Sequence, residues 1–353
     1  MKALPEGEGG FLAFSDLLTG YRLAEALLLA HEAGIFAAIG EEGCTGRELC
    51  SRTGWEPVNG ERFLRCLCGL GLLHHGEDRY TLSPFAATYL VPASRHYQGQ
   101  TLAFEHQLRR SWQQLGPTLT TGQRVFATGD KSPEALRQAF AGYLGAMDEA
   151  ARIRAAELWA ALPIPASAGV LLDLGAGSGA FLAAFLGRYP GWHGIFCDLP
   201  EVVAERGWHQ RLAGMTDRLA WCACNLLADE PSDFDAIGDR SCELVLLSNL
   251  VHCQGPTETA RLLARAAAKT ARKGALVVHD FFSDTDWRGA LYDLHMMLNT
   301  YNGQTYPREE IAAMAAAGGF SHCASQQLPS GSTALVFTRD RRILAGFTGA
   351  PST

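Results

Sequence analysis

Hydrophobic positions change their spacing once along this chain. Up to about residue 162 they recur at helical intervals, and from about 168 they gather into short runs separated by helical stretches. Leu23, Leu27, Leu28, Ala30 and Ile35 lie at helical spacing. Thr45 followed by Glu48 is the capping-box pair that opens a helix. The stretch from Asn59 through Leu70 predicts a second helix, ended by Gly71. Leu72–His75 then reads as a strand, Gly76-Glu77-Asp78 as a turn and Arg79–Leu82 as the returning strand. Helix, turn, helix and two-stranded wing predict a winged helix.

Residues 101–162 predict amphipathic helices with aromatic anchors at Phe104, Trp112, Phe140, Tyr143 and Trp159. Beyond them, strand-type runs at Gly169–Leu174, Gly194–Cys197, Leu219–Cys222, Glu243–Leu247 and Ala275–His279 alternate with helices. That alternation predicts an α/β fold with a doubly wound, mostly parallel sheet. His322–Leu328 and Ala334–Thr338, joined through Pro329–Ser332, predict a hairpin at its edge, for seven strands in all. Four segments result: a winged-helix-like domain at 1–100, bridging helices that wall part of a substrate pocket at 101–162, a nucleotide-binding domain at 163–340, and a frayed tail at 341–353.

Charge narrows the partners. The chain carries a net charge of −7, and its first 100 residues hold eight Lys or Arg against twelve Asp or Glu, a net of −4. A reader of phosphate backbones needs a basic face, so no nucleic acid is expected despite the winged helix. No run of about 18 apolar residues would span a membrane, and no secretory leader opens the sequence. A cytoplasmic protein without membrane contact is expected. The ten cysteines form no zinc-type spacing, and His74-His75 lacks a third ligand, so buried free thiols and no metal are expected.

The strongest chemical signal runs from Val170 to Phe181, where an apolar strand enters a loop with glycines at 175, 177 and 179 and a helix follows. Such glycines let the backbone turn sharply and approach a ligand. The next strand ends at Asp198, whose carboxylate can accept hydrogen bonds from ribose hydroxyls. Gly175-x-Gly177-x-x-Ala180 also satisfies a dinucleotide fingerprint. Gly179, together with an acid at Asp173 suited to an ammonium group, favours S-adenosylmethionine over a nicotinamide cofactor.

In these motifs, from about residue 12 to 340, the chain resembles the plant- and bacterial-type small-molecule O-methyltransferases, the family of caffeate, hydroxyindole and polyketide O-methyltransferases. The matching pieces are Leu172–Gly179, Asp198-Leu199-Pro200-Glu201-Val202, Leu247–His252, Lys273–Val278 and Ala317–Phe320. The resemblance implies a class I, Rossmann-like methyltransferase domain behind a winged-helix-like dimerisation domain, and hence a homodimer. It implies S-adenosylmethionine as cofactor, S-adenosylhomocysteine as product and a small-molecule acceptor. The Ala- and Arg-rich composition suits a bacterial chain of secondary metabolism.

Residue by residue, the resemblance assigns cofactor contacts to Gly175, Gly177, Asp198, Leu199 and Ser248, beside Asp173 and Gly179 from the reading of the glycine loop. Asn225 and Leu226 fall where the family has an acid and an apolar residue beside the adenine. His252 falls on the catalytic base and Asp280 on the acid that orients it. Trp112, Tyr143, Met147, Met296 and Asn299 are the candidate acceptor contacts. Cys253 and Gln254 stand where the family has Asp and Trp, and Thr305 replaces its second acid. These departures leave room for C-methylation, decarboxylation or hydroxylation on the same fold, and a ligand-sensing winged-helix regulator is the non-enzymatic alternative.

Overall fold

A computed structural model describes residues 10–40, 42–125, 133–228 and 241–348. Contacts divide the chain into two units, 1–109 with 135–150, and 110–134 with 151–353. The helices expected as one bridging segment are thus shared between the two.

In the first unit, α1 (Phe11–Glu32) and α2 (Ile35–Ala38) precede α3 (Gly46–Thr53) and α4 (Pro57–Gly69). The Thr45–Glu48 capping box at the start of α3 is present in both directions. Helix α4 begins two residues earlier than the apolar pattern suggests, because the Glu56 carboxylate caps the amides of Val58 and Asn59 and Pro57 fits the first turn. Gly71, at φ 72°, ends it in the left-handed conformation. The hairpin pairs β1 (Leu73–Gly76) with β2 (Arg79–Leu82). Its turn is only Glu77-Asp78, both at positive φ, which matches a tight two-residue hairpin, so Gly76 belongs to the strand. Leu49, Leu64, Leu67, Leu73 and Tyr80 close this core. Helices α5 (Pro84–Tyr89), α6 (Gly99–Trp112), α7 (Leu115–Thr121) and α8 (Pro133–Ala161) follow, with α7, the end of α6 and residues 151–161 of α8 belonging to the second unit.

The second unit is the predicted wound sheet. β3 (Gly169–Leu174), α9 (Ala180–Arg188), β4 (Trp192–Asp198), α10 (Pro200–Val203), α11 (Arg206–Arg211) and β5 (Leu219–Ala223) build one half. β6 (Cys242–Ser248), α12 (Pro256–Lys269), β7 (Thr270–Asp280), α13 (Trp287–Asn299), α14 (Arg308–Ala317), β8 (His322–Gln327), β9 (Thr333–Thr338) and α15 (Arg341–Thr348) build the other. Strand order is β5-β4-β3-β6-β7-β9-β8, with β9 running against the direction of the other six. Successive residues of the central strands serve opposite faces: Leu171, Leu244 and Leu246 join one core, while Leu172, Val245 and Leu247 join the other. Burial on both faces explains why these strands read as continuous apolar runs. The sequence suggested no regular element after Asp340, but 341–348 form α15, whose Phe347 is buried in the second core; the remaining tail lies outside the described residues. Six of the ten free cysteines are buried, while Cys66 and Cys323 are exposed. Among the described residues, no helix is long and apolar enough to cross a membrane.

Candidate active site

The chain leaves β3 toward β4 and β5 on one side, and returns to β6 and β7 on the other. Ligands of open α/β sheets bind beyond the carboxyl ends of the strands where that direction reverses. Two loops meet this condition: Gly175–Gly179 after β3, and Asn249–His252 after β6.

In the first loop, Gly175, Gly177 and Gly179 all take positive φ (74°, 56° and 72°). A Cβ on Gly175 would meet Leu250 at 2.8 Å, whereas one on Gly177 would meet nothing of the chain within 4 Å. The open face of Gly177 is therefore where a ligand can approach the backbone. Asp198 reaches across from β4, accepting the Gly177 N–H at 2.7 Å and the Leu199 N–H at 2.7 Å. Carboxylate oxygens have further lone pairs, so ribose hydroxyls remain within its capacity.

Asp173 is fully buried on β3, and its Oδ2 has no hydrogen-bond partner among the described residues. Burial, and secondarily the Asp198 charge, raise its pKa to about 8. A buried carboxyl with an unused oxygen suits a cationic group such as the ammonium of an amino acid. Asn225 is exposed and its Oδ1 accepts the Leu227 N–H at 3.0 Å, while Leu226 is buried. Ser248 is engaged below the loop. Its hydroxyl meets His279 Nδ1 at 2.8 Å, and the other nitrogen of that ring meets Ser332 at 2.8 Å. Burial drives the pKa of His279 down to about 3, so this linker is neutral.

Asn249 turns the chain off β6 at φ 51°, a left-handed conformation that Asn tolerates better than most residues. A single helical turn, Val251–Cys253, then carries His252 to the end of β7. There Asp280, fully buried, accepts from His252 Nδ1 through Oδ1, from the His252 backbone N–H at 3.4 Å through Oδ2, and from the Phe281 N–H at 2.7 Å. Burial alone lowers the pKa of His252. The Asp280 charge, with Cys253, Tyr292 and the hydrogen bond adding to it, outweighs burial and holds the imidazole well above 6.5.

The other ring nitrogen, Nε2, faces the Tyr292 hydroxyl at 3.4 Å. Tyr292 lies on α13 with its ring edge-on to His252, stacked on His295 and 4.7 Å from Phe281. Trp112 approaches His295 at 6.4 Å, Met296 is buried, and the Asn299 amide turns back onto the His295 carbonyl at 3.0 Å. Trp112 and Asn299 thus meet His295 directly, and Met296 is its neighbour in the chain. Tyr143 and Met147 belong to the first unit, where Tyr143 packs on Phe104 and Phe140. Thr305 is tied by its N–H and hydroxyl to Asp293 at 2.6 and 3.2 Å.

Sequence reasoning missed Tyr292, His295 and Arg154. The Arg154 guanidinium lies 4.8 Å over the Phe281 ring. A period-3 recurrence of Tyr292 and His295 on α13, one turn before Asn299, was the available signal.

Residues 107–321 match the model of an O-methyltransferase domain, and 15–92 that of an O-methyltransferase dimerisation domain. The 3-hydroxy-5-methyl-1-naphthoate 3-O-methyltransferase of Streptomyces sahachiroi is 28% identical over 84% of this chain and 85% of its own. The tetracenomycin polyketide synthesis 8-O-methyl transferase of Streptomyces glaucescens is 28% identical over 89% of this chain and 92% of its own. Among solved structures, the calicheamicin biosynthesis methyltransferase CalO1, bound to S-adenosylhomocysteine, superposes with a TM-score of 0.78 at 22% identity. That match covers 96% of this chain and 100% of the other, and it shows the fold.

Proposed function

This chain belongs to the S-adenosylmethionine-dependent O-methyltransferase family, and we propose that it methylates a hydroxyl of an aromatic or polyketide-like small molecule, with His252 as general base. The observation that carries this reading is the buried Asp280–His252 pair beyond the strand ends, beside the glycine loop. The relatives' naphthoate and polyketide acceptors support the substrate class.

S-adenosylmethionine, when bound, supplies a methyl group on a sulfonium sulfur, an electrophile that needs a nucleophilic oxygen in line with its C–S bond. Asp173 suits the ammonium of that cofactor, the open face of Gly177 its close approach, and Asp198 its ribose. Gly175 and Gly179 shape the loop, and Leu199, Asn225, Leu226 and Ser248 complete the proposed surround. Arg154, whose guanidinium lies over the Phe281 ring, suits the cofactor's carboxylate. Asp280 fixes the His252 tautomer by accepting from Nδ1 and stabilises the imidazolium once Nε2 has taken the acceptor's proton. Positioning of the oxygen supplies much of the remaining acceleration. Trp112, Met296 and Asn299 are proposed acceptor contacts.

A homodimer follows from the dimerisation domain. It is further supported by α1, which exposes Phe11, Leu12, Phe14, Leu17, Leu18 and Tyr21, a stripe a second copy would cover. The free thiols suit a reducing cytoplasm.

The test is incubation of the full chain with methyl-labelled S-adenosylmethionine and a panel of hydroxynaphthoates, hydroxyanthraquinones and hydroxyindoles. Label on a phenolic oxygen of a panel member, located by mass spectrometry, is the expected result. Label on carbon, or on none of the panel, contradicts the reading.

A further inference from the structure

His252 has one nitrogen committed to Asp280, and the only other ring nitrogen faces a phenol rather than a carboxylate. Once the ring is neutral and donates from Nδ1, as a base must, Nε2 offers a single in-plane lone pair, which one donor fills. At 3.4 Å the Tyr292 hydroxyl is at the outer limit of a hydrogen bond, a loose contact of the kind that rearranges when a substrate arrives. Two neighbours keep the phenol there. His295 stacks on its ring at an 18° interplanar angle, Phe281 lies 4.7 Å away, and the Phe281 N–H is bound to the same Asp280 oxygen that meets His252. The phenol's orientation is therefore tied to the dyad it faces.

An acceptor hydroxyl that gives its proton to Nε2 must take the lone pair that Tyr292 now approaches. The displaced phenol O–H is then within reach of the oxygen that displaced it. We propose that Tyr292 is a further catalytic residue of the transfer: its hydroxyl caps Nε2 in the resting protein and, once the acceptor is bound, donates a hydrogen bond to the reacting oxygen. In the proton step the acceptor O–H bond breaks and an N–H bond forms at Nε2, leaving negative charge on oxygen. The Tyr292 O–H stays intact and eases the proton's departure, while the oxygen's free lone pair forms the bond to the methyl carbon and its charge is spent there. The charged and titratable groups around this point are Asp280, Cys253, His279, His295 and Arg154, and the phenol is the hydroxyl donor among them that touches Nε2.

The inference rests on the proposed O-methyl transfer, and its test separates the two. Tyr292→Phe keeps the ring packing, and Tyr292→Leu removes it. With the full chain labelled with 15N in its histidines, and His252→Gln supplying the assignment, the His252 Nε2 resonance is expected to move in Tyr292→Phe while Nδ1 keeps its Asp280 hydrogen bond. An Nε2 resonance identical to wild type overturns the resting contact. With the panel phenol that wild type methylates fastest, Tyr292→Phe is expected to lose about 10²-fold in kcat with little change in KM. An unchanged kcat, or a loss confined to KM, overturns the catalytic role. Wild type that methylates no panel member contradicts the functional reading instead, and the nitrogen resonance still decides the contact.

Discussion

Asp280 holds His252 at two points, accepting from the imidazole Nδ1 through one oxygen and from the backbone N–H at 3.4 Å through the other. A single carboxylate thus fixes both where the histidine sits and which way its ring turns. The ring nitrogen left over points at α13, where an acceptor oxygen is expected.

The first consequence concerns pH. The neighbouring Asp280 charge keeps His252 protonated above the pH at which a free imidazole loses its proton. A base must be unprotonated to act, so kcat/KM is expected to rise with pH, with an acidic limb centred above 6.5. Asp280→Asn removes the charge, and the limb is expected to move to lower pH while kcat falls about 10²-fold or more. Rate profiles of both proteins check this, and a limb that does not move contradicts the pairing.

Asp173 makes a prediction of opposite sign for stability and for binding. Its folded pKa, about 8, lies far above that of an exposed carboxyl. Stability from this group is therefore present at low pH and is lost as pH rises toward 8. Asp173→Asn keeps the site neutral, and is expected to raise the Tm of the ligand-free protein at pH 8. It is also expected to weaken S-adenosylhomocysteine at least 10-fold, which calorimetric titration and thermal melts measure together.

Much of this site was legible because its residues sit beside strong local signals. Gly175, Gly177 and Gly179 follow an apolar strand directly, and Asp198 ends the next one. His252 follows the end of β6 by four residues, and Asp280 ends β7. Tyr292, His295 and Arg154 carry no such mark. They come from the middles of helices, and only tertiary packing brings them to the strand ends. Helix α15 escaped notice for a different reason: its apolar residues do lie at helical spacing, but over eight residues only, and Phe347 alone of 341–347 is buried. The start of α4 was misplaced because Glu56 is not among the common capping residues.

Gly177 separates ligand space from folding. A methyl group there meets no atom of the chain within 4 Å, though the positive φ carries a strain of about 1 kcal/mol. Gly177→Ala is expected to fold, to melt a few degrees lower, and to lose S-adenosylhomocysteine binding. Full affinity in the folded variant would place the cofactor elsewhere.

The exposed stripe on α1 tests the assembly. Light scattering is expected to give twice the 38.1 kDa chain mass for wild type, and the single mass for Leu18→Glu combined with Tyr21→Glu. A monomeric wild type contradicts the proposed homodimer.

The most direct test of the account is His252→Ala, measured both for methyl transfer to the fastest panel phenol and for S-adenosylhomocysteine affinity. The account predicts a loss of about 10²- to 10⁴-fold in kcat with affinity unchanged. Turnover that survives the substitution would remove His252 from the chemistry and contradict the mechanism.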